Sequence, residues 1–340
     1  MKVLVTGGGG FLGRAIAAKL RERGDDVRSF SRGAHPELAS LGIEHVQGEL
    51  ADAERVSTAV RGVDVVFHAG AKAGVWGPYA DYFATNVTGT ENVITACRRE
   101  RVRKLVYTST PSVVFGAENL EGVDESAPYA SSYETAYPET KAIAERKVLE
   151  ANGPELLTVA LRPHLIWGPG DNHLVPRIVA RGRAGKLRKI GRRPCLVDSI
   201  YIDNAADAHV LAADKLAPDA ACAGKPYFIS NDEPTPVFEL INEILAAAGV
   251  PPVTRSIPVS LAVTVGWMME TVYRLLSITE EPPMTRFVAH QLSTSHWFDI
   301  SAARRELGYA PAVTIEEGLK RLKRQMSQMS QMSQMRSFGV

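Results

Sequence analysis

The stretch Lys2-Val3-Leu4-Val5-Thr6-Gly7-Gly8-Gly9-Gly10-Phe11-Leu12-Gly13 decides the fold that we predict for this chain. A short apolar run leads directly into four glycines, and a helical pattern begins after Gly13. That order predicts a strand, a tight turn and a helix N-terminus. Gly7 allows a sharp turn, Gly10 lets the backbone approach a pyrophosphate, and Gly13 lets the helix pack close to the strand. We interpret this corner as an anion site served by first-turn N–H groups and the helix dipole.

The spacing Gly7-x-x-Gly10-x-x-Gly13 differs from the commoner G-x-G-x-x-G pattern. A glycine-rich turn can also be a turn without a ligand. The position between a strand and a helix favours nucleotide binding over that alternative.

Strands and helices alternate along the first 163 residues. Strands are predicted over 26–30, 44–46, 63–68, 104–108 and 156–162, and helices over 53–60, 86–99 and 137–150. Such alternation is typical of parallel βαβ units. We therefore predict an α/β fold, a Rossmann-type doubly wound parallel sheet, with residues 1–163 as its NAD(P)-binding core.

The pattern loosens after residue 163. We assign residues 164–324 mainly to a smaller substrate-binding lobe, with some segments returning to the core, and expect ligands in the cleft between the two parts. The final segment, residues 325–340, contains a repeated Met-Ser-Gln unit. We expect this low-complexity tail to be disordered and assign no chemistry to it.

The composition is that of an ordinary globular enzyme, with 45% hydrophobic and 23% charged residues. A formal net charge of +1 gives no global attraction to nucleic acid. Cys97, Cys195 and Cys222 have no metal-ligand spacing and are interpreted as reduced thiols. The apolar run before the glycines is too short for a secretory signal, so we expect a cytoplasmic protein.

The stretch 257–278 is apolar, but Pro258, Glu270 and Arg274 interrupt it. We favour a lid or interface helix over a membrane anchor, and a peripheral membrane contact stays open.

Tyr137 and Lys141 are four residues apart, so they share one face of a helix. A nearby ammonium favours the phenolate and is expected to lower the pKa of Tyr137 below its usual value of about 10. The pair is then a usable general acid or base, although Tyr-x-x-x-Lys alone can equally be a surface pair.

The segment Thr108-Ser109-Thr110-Pro111-Ser112 follows an apolar strand. A hydroxyl at the carboxyl end of this strand can hold a carbonyl or alcohol oxygen against the tyrosine. A strand-end turn is the simpler alternative. Together with the glycines and the tyrosine, the segment favours a catalytic site.

With its glycine turn, its Tyr137–Lys141 pair and its hydroxyl-rich segment 108–112, the chain resembles the extended short-chain dehydrogenase/reductase superfamily. Residues 6–13 match its Thr-Gly-x-x-Gly-Phe-x-Gly fingerprint, and Tyr137 and Lys141 match its catalytic pair. Thr110 aligns with the catalytic hydroxyl, with Ser109 as the second choice. Further matching segments are 68–71, 161–163, 167–171 and 306–311.

Within this superfamily, residues 228–234 resemble the 3β-hydroxysteroid and sterol dehydrogenase branch. A closer resemblance is to the bacterial reductases of 2-alkyl-3-oxoalkanoates in long-chain olefin biosynthesis. It is carried by segments 71–77, 107–113, 165–171 and 281–287.

The resemblance and the glycine corner together assign the site. The catalytic residues are Thr110, Tyr137 and Lys141. The cofactor-binding residues are Thr6, Gly7, Gly10, Phe11, Leu12, Gly13, Arg32, Glu49, Leu50, His68, Ala69, Tyr137, Lys141 and Pro163. Glu49-Leu50 departs from the Asp-Leu that the family commonly has near the adenine.

The end of the second strand decides the cofactor. NAD binding usually needs an acid there for the ribose 2′-hydroxyl, whereas an arginine suits a 2′-phosphate. This chain has Ser29-Phe30-Ser31-Arg32-Gly33, with no acid. We therefore favour NADP(H), with NAD(H) as the alternative.

The leading hypothesis is an NADP-dependent ketoreductase acting on a long-chain 2-alkyl-3-oxo acid. An NAD(P)-dependent 3β-hydroxysteroid or sterol dehydrogenase is the main alternative, followed by a nucleotide-sugar epimerase and a non-catalytic NAD(P)-binding module. A homodimer and a complex with other olefin-pathway enzymes stay open. We expect no nucleic-acid partner.

Some further residues stay ambiguous. The basic residues between 181 and 193 suit an anion, a partner protein or a solvated loop. His164 shapes the pocket or merely packs, and the same choice holds for Trp76 and Trp167. The histidines at 209, 290 and 296 make no convincing metal set, so no metal site is expected.

Overall fold

The computed structural model describes residues 1–337, without the side chains of residues 330 and 333–337. Its strands are β1 (Lys2–Thr6), β2 (Asp26–Ser31), β3 (Glu44–Gln47), β4 (Val65–His68), β5 (Lys104–Thr108), β6 (Leu120–Val123), β7 (Leu157–Pro163), β8 (Ile166–Trp167), β9 (Lys189–Ile190), β10 (Leu196–Val197), β11 (Ile200–Tyr201), β12 (Pro226–Ile229), β13 (Thr235–Pro236), β14 (Ser256–Ile257) and β15 (His296–Phe298). Its α-helices are α1 (Phe11–Glu22), α2 (Pro36–Ser40), α3 (Ala53–Val60), α4 (Tyr79–Tyr82), α5 (Gly89–Arg99), α6 (Ala136–Glu150), α7 (Leu174–Arg183), α8 (Ile202–Lys215), α9 (Val237–Ala247), α10 (Val259–Leu275), α11 (Arg286–Gln291) and α12 (Ile315–Ser337).

Seven parallel strands form the central sheet in the order β3-β2-β1-β4-β5-β7-β12. The chain runs outward from β1 in one direction through β3 and then returns to build the other half from β4. This reversal leaves a crevice between β1 and β4 at the carboxyl ends of the strands, where doubly wound sheets bind their ligands. The predicted α/β fold is confirmed.

The strands are apolar on both faces because helices cover the sheet on both sides. In β1, Val3 and Val5 pack into one buried cluster, whereas Leu4 packs into another. Successive side chains of a strand point to opposite faces, so this three-residue run supplies both cores.

The glycine turn requires small residues for two separate reasons. Gly7 has a φ of +71°, in the left-handed region that glycine adopts without strain. A Cβ at Gly13 would lie 2.1 Å from the Gly7 carbonyl oxygen, so α1 can approach the turn only with glycine at this position.

The second half of the chain contributes to both parts of the molecule. Strand β12 completes the central sheet beside β7, and α8 packs against α1. Another sheet has the order β13-β10-β15-β6, and the pairs β11-β8 and β14-β9 are short. Helices α7 and α9 pack together in a third apolar cluster around the buried Trp167.

The repeated Met-Ser-Gln segment differs from the expectation. The structure continues α12 through it to Ser337, so the expected disorder is wrong for residues 325–337. Methionine and glutamine are good helix formers, and the apolar start of α12 packs on the protein and provides a nucleus from which the helix extends. Residues 338–340 lie outside the described residues.

The helix predicted over 86–99 also differs in its first part. Residues Phe83–Thr88 form a π-helical turn, and the regular helix α5 begins at Gly89. This wider turn places the buried Asn86 side chain against the Lys72 backbone.

Helix α10 lies in the apolar stretch that raises a membrane question. None of the helices within residues 1–337 is both long and apolar enough to cross a bilayer. One face of α10 nevertheless exposes Trp267, Met268 and Leu275.

A buried ion pair connects α6 to β7. Arg162 donates to both carboxylate oxygens of Glu145, at 3.0 and 2.6 Å, and both side chains are almost fully buried. Tyr129 donates a further bond to Glu145 at 2.7 Å. The pair fixes α6 against the end of β7.

Removing one member of this pair should be strongly destabilising. For Glu145→Ala we expect the free energy of unfolding to fall by about 3–5 kcal/mol, because Arg162 is left as an unpaired buried charge. Urea denaturation monitored by circular dichroism measures this loss. The matched control is Glu150→Ala on the exposed side of the same helix, for which we expect a change within about 0.5 kcal/mol. If the two substitutions lowered the free energy of unfolding equally, a stabilising role of the buried ion pair would be contradicted.

Candidate active site

A cavity of about 800 Å³ runs along the carboxyl ends of the central strands. It begins at the glycine turn after β1, passes the loop after β2, and ends between the loops after β5 and β7. The residues from the sequence assignment that line it are Gly7, Gly10, Phe11, Leu12, Gly13, Arg32, Glu49, Leu50, Ala69, Thr110, Tyr137, Lys141 and Pro163. Thirteen of the fifteen assigned positions therefore share one cavity.

The other two assigned residues, Thr6 and His68, lie behind the cavity wall. Thr6 Oγ1 contacts His68 Nδ1 at 2.6 Å and accepts a bond from the Gly70 N–H at 3.1 Å. Burial lowers the pKa of His68 to about 3, so its ring is neutral and bridges Thr6 to Thr90. Both side chains position the Gly70 backbone, which lines the cavity, instead of facing a ligand themselves.

The glycine turn has the shape and the donors that a dinucleotide requires. Helix α1 begins after Gly10 without a side-chain cap, so its first N–H groups have no side-chain acceptor there. A Cβ at Gly10 would meet only the Gly7 carbonyl oxygen within 4 Å, which leaves open space on its other side. The residues present therefore fit a pyrophosphate at this helix N-terminus.

The loop after β2 forms the other end of the nucleotide region. Arg32 is exposed and lines the cavity, and its carbonyl is held by the Gln47 amide at 2.8 Å. The Ser31 hydroxyl lies in the same wall and has no hydrogen-bond partner within the described part of the chain. His35 also lines this end. The end of β2 thus presents hydroxyl, guanidinium and imidazole groups and no carboxylate.

Tyr137 and Thr110 meet at the opposite end of the cavity. Tyr137 belongs to the first turn of α6, and Thr110 follows β5 and caps a short 3₁₀ turn by accepting from the Ser112 N–H at 3.2 Å. Burial raises the pKa of Tyr137 to about 12, and the hydrogen bond with Thr110 opposes that rise. Ser109 lines the same wall, so it stays the second choice for the catalytic hydroxyl.

Lys141 lies one helical turn after Tyr137 and is 2% exposed. Its Nζ donates to the Thr108 carbonyl at 2.6 Å and lies 4.1 Å from the centre of the Tyr107 ring. Burial lowers the pKa of Lys141 to about 7, and Glu145 opposes this shift.

The expected fall in the tyrosine pKa is therefore wrong for this structure. Burial of the phenol is the largest influence on the pKa of Tyr137, and the group that opposes it is Thr110 and not Lys141. A protonated tyrosine near neutral pH suits proton donation.

Two further residues, outside the set assigned from the sequence, help to build this cavity. Asn86 accepts from the Lys72 N–H at 2.7 Å and donates to Thr140 at 3.0 Å, which ties the loop after β4 to α6. Asp171 lines the cavity and accepts three backbone N–H bonds at the start of α7. An Asp just before a helical pattern is a capping signature, so the sequence carried a signal for Asp171. Asn86 had none, because its partners are distant in sequence.

A second cavity of about 520 Å³ is lined in part by Ala136, the residue before Tyr137. Its walls include the rings of Trp76, Tyr133 and Tyr273. Trp76 donates to the Ile278 carbonyl at 3.0 Å, and Tyr133 donates to the Val113 carbonyl at 2.8 Å. Because their polar atoms are satisfied elsewhere, these two side chains can present apolar ring surface to a ligand.

The histidines at 209, 290 and 296 do not form a metal site together within the described residues. His209 contacts the Thr108 hydroxyl at 2.8 Å, and His290 contacts Glu134 at 3.0 Å. Over residues 1–337, the structure brings together no group of three or more metal-ligating side chains.

Comparison with protein families gives a match over residues 4–259 to the 3-beta hydroxysteroid dehydrogenase/isomerase family. This span contains the glycine turn, Thr110, Tyr137, Lys141 and the central sheet except for the first two residues of β1.

Individual proteins resemble the chain over nearly its full length. A 2-alkyl-3-oxoalkanoate reductase of Shewanella oneidensis is 56% identical over 326 residues, covering 94% of this chain and 84% of the relative. One of the same name from Stenotrophomonas maltophilia is 54% identical, with 95% and 98% covered. The crystal structure of a Thermus thermophilus UDP-glucose 4-epimerase in complex with NAD superposes with a TM-score of 0.73 at 26% identity, covering 96% and 99% of the two chains.

The low pKa of Lys141 predicts a specific pH dependence of stability. Its pKa is about 7 in the folded protein, against 10.5 for an unperturbed lysine, so between these values the unfolded chain binds a proton that the folded protein does not. The contribution of Lys141 to the free energy of unfolding therefore rises with pH between these two pKa values, by up to about 1.4 kcal/mol per pH unit.

We expect the free energy of unfolding of the wild type, minus that of Lys141→Met, to increase from pH 7 to pH 10. Urea denaturation of both proteins at several pH values measures the difference. Lys147→Met, on the outer side of the same helix, is the control and should give parallel curves. If the free energies of unfolding of the wild type and Lys141→Met also changed in parallel with pH, the lowered pKa of Lys141 would be contradicted.

Proposed function

The chain belongs to the 3-beta hydroxysteroid dehydrogenase/isomerase family, and we propose that it is an NADP(H)-dependent ketoreductase of long-chain 2-alkyl-3-oxo acids. The observation that carries the proposal is the meeting of Thr110, Tyr137 and Lys141 in one cavity with the glycine turn. That arrangement suits reduction or oxidation at a carbon–oxygen bond. Identity above half with two 2-alkyl-3-oxoalkanoate reductases supports the keto acid as substrate.

In this mechanism Tyr137 and Thr110 both act on the substrate carbonyl oxygen. The residues around the glycine turn would hold NADPH, which would supply the hydride for the ketone carbon. Tyr137 donates its phenolic proton to the oxygen as negative charge develops there, and the Thr110 hydroxyl donates a hydrogen bond to the same oxygen. The pKa of Tyr137, about 12, keeps the phenol protonated and ready to donate at neutral pH.

Lys141 acts on the cofactor and on the tyrosine. As the family resemblance implies, its amine holds the ribose next to the nicotinamide, within the cavity that it lines together with Tyr137. A positive charge at this place also stabilises the phenolate that remains after proton transfer. Its neighbour Glu145 favours the charged amine.

The groups at the end of β2 support NADP(H) over NAD(H). A 2′-phosphate carries negative charge and several acceptor oxygens, which match the Arg32 guanidinium, the Ser31 hydroxyl and the His35 ring. The carboxylate that usually binds the ribose 2′-hydroxyl of NAD is lacking at the end of this strand.

The cavity walled by Trp76, Tyr133 and Tyr273 supports a substrate with long alkyl groups. Ala136, which precedes Tyr137, lines this cavity, and we place an alkyl chain of the substrate over these rings. We assign the rest of substrate binding mainly to residues 164–324. We place the reaction in long-chain olefin biosynthesis, as the sequence resemblance implies.

An oxidative 3β-hydroxysteroid dehydrogenase is the second candidate, because the matching family is described by that activity. It would use the same three residues in reverse, with Tyr137 accepting the proton of the alcohol.

Two assays in parallel separate these candidates. In the first, NADPH absorbance is followed with a 2-alkyl-3-oxo acid; in the second, NAD⁺ reduction is followed with a 3β-hydroxysteroid. We expect turnover in the first mixture, with kcat/KM at least tenfold higher than in the second, because a keto acid fits both the catalytic groups and the aromatic cavity. Turnover confined to the steroid would overturn the proposed substrate.

The tyrosine is tested within the first assay. Tyr137→Phe removes the proton donor alone, so kcat should fall by about 10²–10⁴ while the Kd for NADPH changes little. Tyr227→Phe, which removes a hydroxyl bonded to Glu306 away from the cavity, should keep its activity. A fully active Tyr137→Phe enzyme would refute the assigned acid.

Cofactor choice is tested with Arg32→Ala. Losing a charged contact to the 2′-phosphate should weaken NADPH binding by about 10- to 100-fold and leave NADH binding nearly unchanged. Fluorescence titration of the two cofactors measures the ratio, with the exposed Arg99→Ala as control. Equal weakening of both cofactors would exclude a role of Arg32 in phosphate recognition.

A further inference from the structure

Helix α10 presents an apolar stripe to the outside of the molecule. The side chains of this stripe recur every three or four residues and therefore lie on one face of the helix: Leu261, Val265, Met268, Val272 and Leu275. All of them except Val265 are between 48% and 79% exposed. We call this face the α10 stripe. A contiguous row of exposed apolar side chains is typical of an interaction surface.

The opposite face of the same helix already packs on the protein. Ala262 and Gly266 are buried, and a Cβ at Gly266 would lie 2.7 Å from the backbone nitrogen of Arg286 at the start of α11. Glu270 accepts from this Arg286 N–H at 2.7 Å and also from the Arg286 guanidinium. Because these contacts fix which side of α10 faces the protein, the α10 stripe faces outward.

Basic residues lie at the N-terminal end of the helix. Strands β9 and β14 pair just before α10, and the Gly191 N–H donates to the Ile257 carbonyl at 2.9 Å. A Cβ at Gly191 would lie 3.2 Å from Val259, the first residue of α10. The exposed or partly exposed basic side chains of the two paired segments are Arg188, Lys189, Arg192, Arg193 and Arg255. The stripe is therefore flanked by positive charge.

Acidic residues are rare in the same part of the chain. Residues 244–279 include one acidic residue, Glu270, and it is buried. Arg274 and Arg286 both contact Glu270, at 3.7 and 2.8 Å, so this group keeps one excess positive charge. The sequence 172–197 contains no acidic residue. The surface around the α10 stripe thus combines apolar and basic groups.

The surface of an anionic lipid bilayer matches both properties. Apolar side chains of a helix that lies in the interface enter the acyl region, and flanking basic residues attract anionic headgroups. Trp267 lies at the edge of the stripe and has the amphipathic ring that favours the headgroup region. A second copy of the chain fits less well. Pairing two α10 helices antiparallel brings Arg274 of one copy toward the basic segment 188–193 of the other, where like charges repel.

We propose that the α10 stripe docks this protein on anionic lipid bilayers. The helix lies in the plane of the interface, with Met268 and Leu275 among the acyl chains and the basic segment 188–193 at the headgroups. The aromatic cavity is also walled from this side, by Tyr273 and residues 277–279. Docking would bring that wall to the phase in which long alkyl chains dissolve. This consequence rests on the proposed function, whereas the docking itself does not.

Vesicle flotation with the full-length protein tests the docking. One kind of vesicle consists of phosphatidylcholine alone, and the other contains equal parts of phosphatidylcholine and phosphatidylglycerol. We expect binding to the anionic vesicles to be stronger by about tenfold or more, because the basic residues are attracted only to charged headgroups. Added salt should weaken this binding, since it screens the attraction.

Two variants separate the apolar and the charged contributions. Met268→Glu combined with Leu275→Glu places charges on the stripe, and Arg192→Gln combined with Arg193→Gln removes two flanking cations. Each should weaken binding to the anionic vesicles by about tenfold or more, because apolar burial or headgroup attraction is lost. All four side chains are exposed, so thermal unfolding followed by circular dichroism should match that of the wild type.

Matched controls make the same changes elsewhere on the surface. Leu41→Glu replaces an exposed leucine that follows α2, and Arg99→Gln replaces an exposed arginine at the end of α5. Both proteins should float with the anionic vesicles as the wild type does.

Each outcome decides for or against the proposal. Equal binding to the two kinds of vesicle, or binding to neither, overturns it, and so does an equal loss of binding in the variants and their controls. A dimer that the Met268→Glu, Leu275→Glu protein fails to form, measured by sedimentation velocity without vesicles, assigns the stripe to a second copy and overturns the proposal as well. The reductase assays are independent of these results, so the proposed function is tested separately.

Discussion

The contact between Gly13 and the Gly7 carbonyl is the constraint on which the rest of this structure depends. A Cβ added at Gly13 would lie 2.1 Å from the Gly7 carbonyl oxygen, so no other residue lets α1 begin so close to the end of β1. This closeness aims the first-turn N–H groups into the crevice where the strand order reverses. The cofactor region, and therefore the position of every group that acts on a substrate, is set from this corner.

Burial then decides the chemistry at the other end of the crevice. Tyr137 and Lys141 lie in a water-poor wall, where the phenol keeps its proton and the amine binds its proton less tightly. Glu145, one turn after Lys141, favours the charged amine, and Arg162 neutralises Glu145 from β7. A chain of charges from the sheet to the catalytic helix thus balances the cost of burying each member.

Long-range contacts connect loops at the carboxyl end of the central sheet to the second half of the chain. Asp198 forms a hydrogen bond with His164, 34 residues away in sequence. Trp76 forms one with the Ile278 carbonyl, 202 residues away. The first contact orients the His164 ring after β7, and the second attaches the loop after β4 to the end of α10. Both contacts link a segment that follows a strand of the central sheet to a later part of the chain.

Much of this could be predicted from local patterns. The glycine turn, the alternating strands and helices, and the Tyr137–Lys141 spacing depend on residues that are close in sequence, where backbone geometry alone relates them. Arg32 could be assigned because it follows a strand whose end has a known place in this fold. Thr110 was assigned because its segment resembles the hydroxyl-rich motif of the superfamily.

The remaining features were decided only by the tertiary structure. Thr6 and His68 lie behind the cavity wall, and the tyrosine pKa rises where the sequence predicted a fall, because desolvation depends on what packs around a group. Asn86, Asp198 and Glu145 gain their roles from partners that no local pattern relates to them. The sequence by itself determined which groups stand at the strand ends, and tertiary packing determined their charge and orientation, since both depend on burial and on contacts between distant segments.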